Sequence, residues 1–81
     1  MKLIKFEAPW CSGCKAQDAQ LEKLKDVDIV HIDVDEDPDS ANKFGIRSLP
    51  TMVILDDEDS EIKRFVGVTP SDKIQEAYDS K

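Results

Sequence analysis

The feature that most constrains the fold is a pair of cysteines separated by two residues, between a short apolar run and a segment with helical spacing. Cys11 and Cys14 are the only cysteines in the 81-residue chain. A cysteine attacks a disulfide only as an accessible thiolate, and the amino end of a helix favours that thiolate through its unpaired N–H groups and positive dipole. A dithiol redox centre is therefore the leading hypothesis.

The position of the pair predicts different roles for its members. Cys11 would lie exposed at the tip of the loop and attack a substrate disulfide, while Cys14 would be more buried and attack Cys11 to release the reduced substrate. The alternatives are a chance pair and half of a zinc site. Zinc needs four ligands, and beside the cysteines the chain offers His31, so a complete site would need a carboxylate or a second chain. We favour redox chemistry and expect no metal.

The composition limits the size of the fold and the class of partner. A chain of 81 residues is long enough for one modest core, so we expect a single domain over residues 1–81. It carries 18 acidic against 11 basic residues, a formal net charge of -7, which repels nucleic-acid phosphates and anionic membranes. The charged positions in Met1–Glu7 do not fit a signal peptide, so we expect a cytoplasmic protein in a reducing compartment.

Hydrophobic spacing predicts the element order βαβαββα. This order predicts a four-stranded mixed sheet flanked by helices, an α/β fold. The predicted strands span residues 3–6, 27–34, 51–55 and 62–66, and the predicted helices span about 11–26, 38–44 and 70 onward. The apolar stripe of the first helix is predicted at Ala16, Ala19, Leu21, Leu24 and Val27.

Local signals predict how the second and third helices begin and end. Asp37 followed by Pro38 is typical of a helix start, and Gly45 is typical of a helix end. The run Thr69–Asp72 predicts a third helix capped by Thr69. The residues expected on the buried face of that helix are Ile74, Ala77 and Tyr78.

Two segments resemble the landmarks of the thioredoxin family. Phe6–Lys15, with the sequence FEAPWCSGCK, is similar to the thioredoxin active-site segment. Phe44–Thr51, FGIRSLPT, is similar to the second landmark, at the expected separation. The similarity continues through Gly67. It implies a thioredoxin fold of glutaredoxin size, lacking the extra amino-terminal strand and helix of a full-length thioredoxin.

The resemblance also implies a substrate-binding surface. Pro50 would follow a cis bond, which places the Leu49–Pro50 turn opposite Cys11, where its backbone pairs with a client peptide. Trp10 would shield the dithiol and contact the client, and Gly67 would let the bound peptide approach closely. The alternatives from the residues alone are a trans Pro50, a packing aromatic at Trp10 and a simple turn at Gly67.

The activity implied by the resemblance is the reduction of protein disulfides. The Cys11–Cys14 disulfide would be the redox group, with no bound cofactor, and a thioredoxin-reductase-like donor would re-reduce it. We expect a monomer with disulfide-containing client proteins as partners. A glutathione-coupled glutaredoxin is an alternative favoured by size, but Val66–Thr69 lacks the paired glycines of that family. A non-enzymatic binding module is the other alternative.

The chain departs from the thioredoxin pattern at the redox site. Ser12 and Gly13 stand where the family has glycine and proline, so the redox potential does not transfer. Lys5 stands where the family has a buried aspartate. It either lies beneath the loop, where its charge favours the Cys14 thiolate and burial lets it act as a base, or extends to solvent. His31, where the family has a lysine, either relays protons or is a satisfied, partly buried histidine.

Clustered carboxylates suggest a calcium loop, but the residues do not fit one. An EF-hand needs glycine at its sixth position and a bidentate glutamate at its twelfth. A loop that begins at Asp33 has Pro38 and Phe44 at those positions. We therefore interpret the acidic tract 33–39 as a solvated surface.

Overall fold

The computed structural model describes residues 1–80 and places seven elements in the predicted order βαβαββα. They are β1 (Lys2–Glu7), α1 (Ser12–Leu21), β2 (Ile29–Asp33), α2 (Pro38–Phe44), β3 (Thr51–Leu55), β4 (Glu61–Val66) and α3 (Ser71–Asp79). Within these residues, no helix is long and apolar enough to cross a bilayer.

The strands form one four-stranded mixed sheet in the order β2-β1-β3-β4. β1 pairs in parallel with β2, so the crossover between them is made through α1. β1 pairs antiparallel with β3, and β3 pairs antiparallel with β4 across the predicted hairpin. The predicted sheet is confirmed, and the strand that leads into the cysteine loop lies at its centre.

Alternation along β1 sends successive side chains to opposite faces of the sheet. Leu3 packs on one face with Leu21 of α1 and Ile74 of α3. Ile4 and Phe6 pack on the other face, against a cluster that includes the half-buried side chain of Phe44 from α2. All five residues of β3 are buried, as predicted for a strand covered on both faces.

The first helix is shorter than predicted, and so is the strand after it. α1 ends at Leu21 rather than near Asp26, and β2 begins at Ile29. Leu24 and Val27, whose spacing suggested a longer helix, pack against the core from the connecting turn instead. In that turn the backbone of Asp26 has φ 57°, a left-handed conformation that is incompatible with a continuing helix.

The predicted apolar stripe of α1 is also wrong in part. Ala16 and Ala19 are exposed, whereas the buried positions are Cys14, Gln17 and Leu21. An alanine methyl is small enough to leave in water at little cost. The amide of Gln17, in contrast, is fully buried and hydrogen-bonded, so a polar residue occupies the core face.

The start of α2 is as predicted, and the start of α3 is not. The Asp37 side chain accepts the N–H of Ser40 at 3.2 Å, and Gly45 ends α2 with φ 66°. At α3 the N-cap is Pro70, without a side-chain hydrogen bond. Thr69 does not cap α3 because its hydroxyl donates to the carbonyl of Gly67 at 3.0 Å.

Candidate redox site

Cys11 and Cys14 form a disulfide at the amino end of α1, with their Cα atoms 5.3 Å apart. Cys11 is the N-cap of the helix, and its Sγ accepts the backbone N–H of Cys14 at 3.1 Å. The backbone N–H of Cys11 donates to the carbonyl of Ala8 at 3.1 Å, which closes the loop after β1. Sulfur thus occupies the position where an unpaired helix N–H and the helix dipole stabilise negative charge.

Both cysteines are buried in this disulfide form. Cys11 is 7% exposed and Cys14 is 3% exposed. The prediction of an exposed Cys11 is therefore wrong for this form, although Cys14 is the more buried of the two, as predicted. The cause is local packing, because Ala8 and the half-buried Leu49 pack in the same cluster as the two cysteines.

The turn before β3 lies directly against the cysteine loop. The Leu49–Pro50 bond is cis, as the resemblance implies, and Pro50 is buried. A Cβ atom added to Gly13 would lie 3.3 Å from Cδ of Pro50 and 3.5 Å from Cγ2 of Val68. Gly13, one of the two residues between the cysteines, therefore lies close to two segments that are distant in sequence. Ser12, the first residue of α1, is exposed.

Gly67 forms a backbone hydrogen bond with the Leu49–Pro50 turn. Its backbone N–H donates to the carbonyl of Pro50 at 2.8 Å. Its φ is 88°, in the region that favours glycine. The structure therefore places Gly67 beside the Leu49–Pro50 turn, in a conformation that favours glycine.

Apolar side chains near the disulfide are exposed to an unusual degree. Trp10 is 69% exposed, and Val66 and Val68 are 63% and 52% exposed. The indole Nε1 of Trp10 donates to Oδ2 of Asp35 at 2.9 Å, so the ring is held although it is exposed. The sequence did not indicate Asp35 as a partner of Trp10, because Asp35 lies in an acidic tract typical of a solvated surface.

Lys5 lies beneath the cysteine loop and is only 1% exposed. Strand alternation directs it to the face of β1 that α1 covers, so the alternative in which it reaches solvent is wrong. Its Nζ lies 2.9 Å from the carbonyl oxygen of Cys14, 2.6 Å from Oδ1 of Asp18 and 2.8 Å from Oε1 of Glu7. The two carboxylates were not predicted to belong to the site.

Glu7 joins Lys5 to His31. Nδ1 of His31 lies 2.9 Å from Oε1 of Glu7. Partial burial raises the pKa of Glu7, but hydrogen bonds and charge interactions with Lys5 and His31 outweigh burial, so the pKa lies below its ordinary value of 4.5. His31 itself is 47% exposed at the edge of the sheet, so the prediction that it is partly buried is wrong.

Glu7, Asp18 and His31 are also the grouping in the described residues that most resembles a metal site. Each offers one ligand atom, and these atoms lie within 4.8 Å of one another. The Lys5 ammonium, however, already contacts both carboxylates. A second cation there would meet its charge at close range, so the arrangement is better described as an ion-pair network around the buried Lys5.

The family model described as Thioredoxin matches residues 1–80 of the chain. The chain belongs to the thioredoxin family. It is 39% identical to a thioredoxin from Bacillus subtilis over 79 residues, covering 91% of this chain and 75% of the relative. It is 35% identical over 72 residues to the SPbeta prophage-derived thioredoxin-like protein YosR of the same species, covering 89% of each.

Solved thioredoxin structures share this fold. Thioredoxin 1 from Thermosipho africanus superimposes with a TM-score of 0.85 at 31% identity, covering 99% of this chain and 92% of that one. The family and the Cys11–Cys14 disulfide together identify a thiol–disulfide oxidoreductase with a Cys-x-x-Cys centre. As in other thioredoxins, the redox group is a disulfide of the chain itself.

Proposed function

We propose that the protein reduces disulfide bonds in client proteins and is re-reduced by a thioredoxin-reductase-like donor. The observation that carries this proposal is the position of Cys11 at the N-cap of α1, with its Sγ 3.1 Å from the N–H of Cys14. A thiolate accepts this hydrogen bond more strongly than a thiol does. Cys11 is therefore the nucleophile, and Cys14 is the resolving cysteine.

The reaction has two exchange steps. The Cys11 thiolate attacks one sulfur of the client disulfide, and the other client sulfur leaves with the electron pair and takes up a proton. Cys14, deprotonated, then attacks Cys11, which breaks the mixed disulfide and releases the second client thiol. The client gains two electrons and two protons, and the protein is left with the Cys11–Cys14 disulfide seen in the structure.

Client binding uses the surface around the disulfide. The exposed ring of Trp10 and the exposed side chains of Val66 and Val68 offer apolar contact area. Beside them, the backbone of the Leu49–Pro50 turn pairs with the client peptide. Gly67 has no side chain to obstruct that peptide. The client is therefore held with its disulfide over Cys11.

The same proposal covers the setting of the reaction. Residues 1–81 act as a single, monomeric domain. No cofactor is needed, because both electrons pass through sulfur. A reducing protein needs a reducing compartment, so we place the protein in the cytoplasm.

Two serine variants test the roles of the cysteines. With dithiothreitol as the reductant and a model protein disulfide as the substrate, Cys11→Ser abolishes turnover. In the Cys14→Ser variant, Cys11 still attacks the substrate, and a mixed disulfide accumulates. Mass spectrometry detects this species as an increase in the mass of the protein that a reductant reverses. Full turnover by Cys11→Ser would refute the assignment, and failure of the unsubstituted protein to reduce the disulfide would favour a binding module.

The electron donor is tested by recycling the oxidised protein. We expect NADPH with a thioredoxin reductase to reduce it faster than glutathione does. The reverse preference would replace the proposal with a glutathione-coupled, glutaredoxin-like activity. The readout is the rate of NADPH consumption, with glutathione reductase reporting the glutathione arm.

A further inference from the structure

Lys5 is a buried cation that contacts three oxygens next to Cys14. A lysine ammonium has three donors. Three oxygens lie within contact distance of Nζ: the Cys14 carbonyl at 2.9 Å, Asp18 Oδ1 at 2.6 Å and Glu7 Oε1 at 2.8 Å. Lysine is almost never fully buried unless it is paired. The charge of Lys5 is therefore fixed at the resolving cysteine by the contacts around it.

A cleft of about 230 Å³ connects this network with Cys14. Its lining includes Cys14, Lys5 and the carboxylate residues Glu7, Asp18 and Asp33. Asp18 is 51% exposed, so the cleft extends from the buried cysteine to the surface. The cleft therefore connects Cys14 with solvent past these charged side chains.

The charged groups around Lys5 come from β1, α1 and β2, whereas the neighbouring strand β3 contributes none. β1 contributes Glu7, α1 contributes Asp18 and Lys15, and β2 contributes His31 and Asp33. On the other side of β1, the residue paired with Lys5 is Met52 of β3. Lys5 is the single buried cation in this set, whereas His31, Lys15 and Asp18 are exposed.

We propose that Lys5 stabilises the thiolate of Cys14 during its attack on the mixed disulfide, and that Asp18 and Glu7 limit this stabilisation. The inference rests on the proposed reduction of client disulfides. In the step concerned, the Cys14 thiol gives its proton to solvent through the cleft. Its sulfur bonds to Cys11, and the client sulfur leaves with the electron pair and is protonated. Lys5 is a positioning residue that acts through its charge.

The proposal predicts opposite effects for removing opposite charges. Lys5→Met removes the cation and leaves two carboxylates near Cys14, so thiolate formation becomes harder. Asp18→Asn removes one carboxylate and leaves Lys5 less compensated, so thiolate formation becomes easier. A merely structural network would respond in the same direction to both substitutions, since each one removes a contact of the Lys5 ammonium.

The experiment follows the two exchange steps separately. Reduced protein is mixed in a stopped-flow instrument with an aromatic disulfide whose released thiolate is coloured. The first coloured thiolate reports attack by Cys11 and depends on reagent concentration. The second reports attack by Cys14 within the mixed disulfide and does not. The rate of this second phase is recorded as a function of pH.

We expect Lys5→Met to slow the second phase at neutral pH by about tenfold or more. The reason is that a nearby positive charge lowers the pKa of a thiol by about one to three pH units, and this substitution removes that charge from the surroundings of Cys14. The midpoint of its pH profile moves to higher pH. Asp18→Asn moves the midpoint to lower pH and accelerates the second phase by about twofold, a smaller effect because the carboxylate is half exposed. Two substitutions beyond the carboxyl end of α1 control for the change in net charge. Lys25→Met is the control for Lys5→Met, and Glu22→Gln is the control for Asp18→Asn.

Shifts of the two midpoints in the same direction, or no shift in either variant, would overturn the inference. If Lys5→Met does not fold, the Asp18→Asn profile alone decides the sign. A first phase that is absent in the unsubstituted protein would instead contradict the proposed function. A normal first phase with an unmoved second phase contradicts only the role of Lys5.

Discussion

The side-chain amide of Gln17 pairs with the backbone of Thr69 through two hydrogen bonds. Its Oε1 accepts the N–H of Thr69 at 2.7 Å, and its Nε2 donates to the Thr69 carbonyl at 3.0 Å. Gln17 is fully buried and Thr69 is 8% exposed. The pair ties α1 to the segment after β4, in which Gly67 contacts Pro50 and Val68 lies close to Gly13.

Gln17→Met keeps the approximate volume of the side chain and removes both hydrogen bonds. We expect the free energy of unfolding to fall by about 1–3 kcal/mol for each buried backbone group left unpaired. Urea denaturation measures the change. Gln20→Met is the matched control, because Gln20 accepts one hydrogen bond from the N–H of Ser71 and is only partly buried. An equal loss in the two variants would contradict the special role of Gln17.

The conformation of Gly67 predicts a cost for any side chain there. A Cβ at this position has no atom within 4 Å, so the cost of Gly67→Ala is conformational. We expect a loss of about 1–2 kcal/mol in thermal or urea unfolding. Gly45→Ala, also at positive φ with open space around it, should lose a similar amount. Only Gly67→Ala should slow client reduction, and an unchanged stability in that variant would refute the argument.

The pKa of Glu7 predicts how stability depends on pH. Burial raises this pKa, but Lys5 and His31 together lower it below 4.5. The folded protein therefore binds fewer protons at Glu7 than the unfolded chain does, and this contribution is complete above pH 4.5 and is lost as pH falls through the folded pKa. We expect the stability difference between the unsubstituted protein and Glu7→Gln to shrink as the medium is acidified through that range.

Urea unfolding at a series of pH values measures this difference. Glu76→Gln, on an exposed part of α3, controls for the loss of one negative charge. A difference for Glu7→Gln that is independent of pH would show that Glu7 contributes no charge-dependent stability.

The hydrogen bond between Trp10 and Asp35 predicts an effect on side-chain mobility. Asp35→Ala removes the acceptor that holds the exposed indole, so the ring gains rotational freedom. Because Trp10 is the only tryptophan, time-resolved fluorescence anisotropy reports it without interference. We expect a larger fast-decaying component in Asp35→Ala than in the control Asp39→Ala. Equal decays would mean that packing, rather than the hydrogen bond, holds the ring.

The sequence predicted the elements whose signals are local. The Asp37–Pro38 start and Gly45 end of α2 are set within a few residues, and the apolar run of β3 needs no distant partner to be recognised. The cysteine pair likewise has a spacing that carries its chemistry. Such features are determined by the chain near them.

What the sequence did not predict depends on contacts between distant residues. In the sequence alone, Gln17 resembles a solvated helix residue. Its amide is buried because it forms hydrogen bonds with the backbone of Thr69, which is far away in sequence. Alternation along β1 could have placed Lys5 and Glu7 on one face, but the approach of Asp18 depends on how α1 packs on the sheet. The extent of α1 was overestimated because Leu24 and Val27 have helical spacing while packing from a turn.

Pro50 and Val68 limit the space beside Gly13, so the residues between the cysteines cannot be replaced independently of their surroundings. A methyl group at position 13 would press on Cδ of Pro50 at 3.3 Å, so the turn would have to yield by a few tenths of an ångström. Grafting the inter-cysteine residues of another oxidoreductase into this chain therefore also alters the surface proposed to receive clients. A side chain at position 13 therefore changes the cysteine loop and the Leu49–Pro50 turn together.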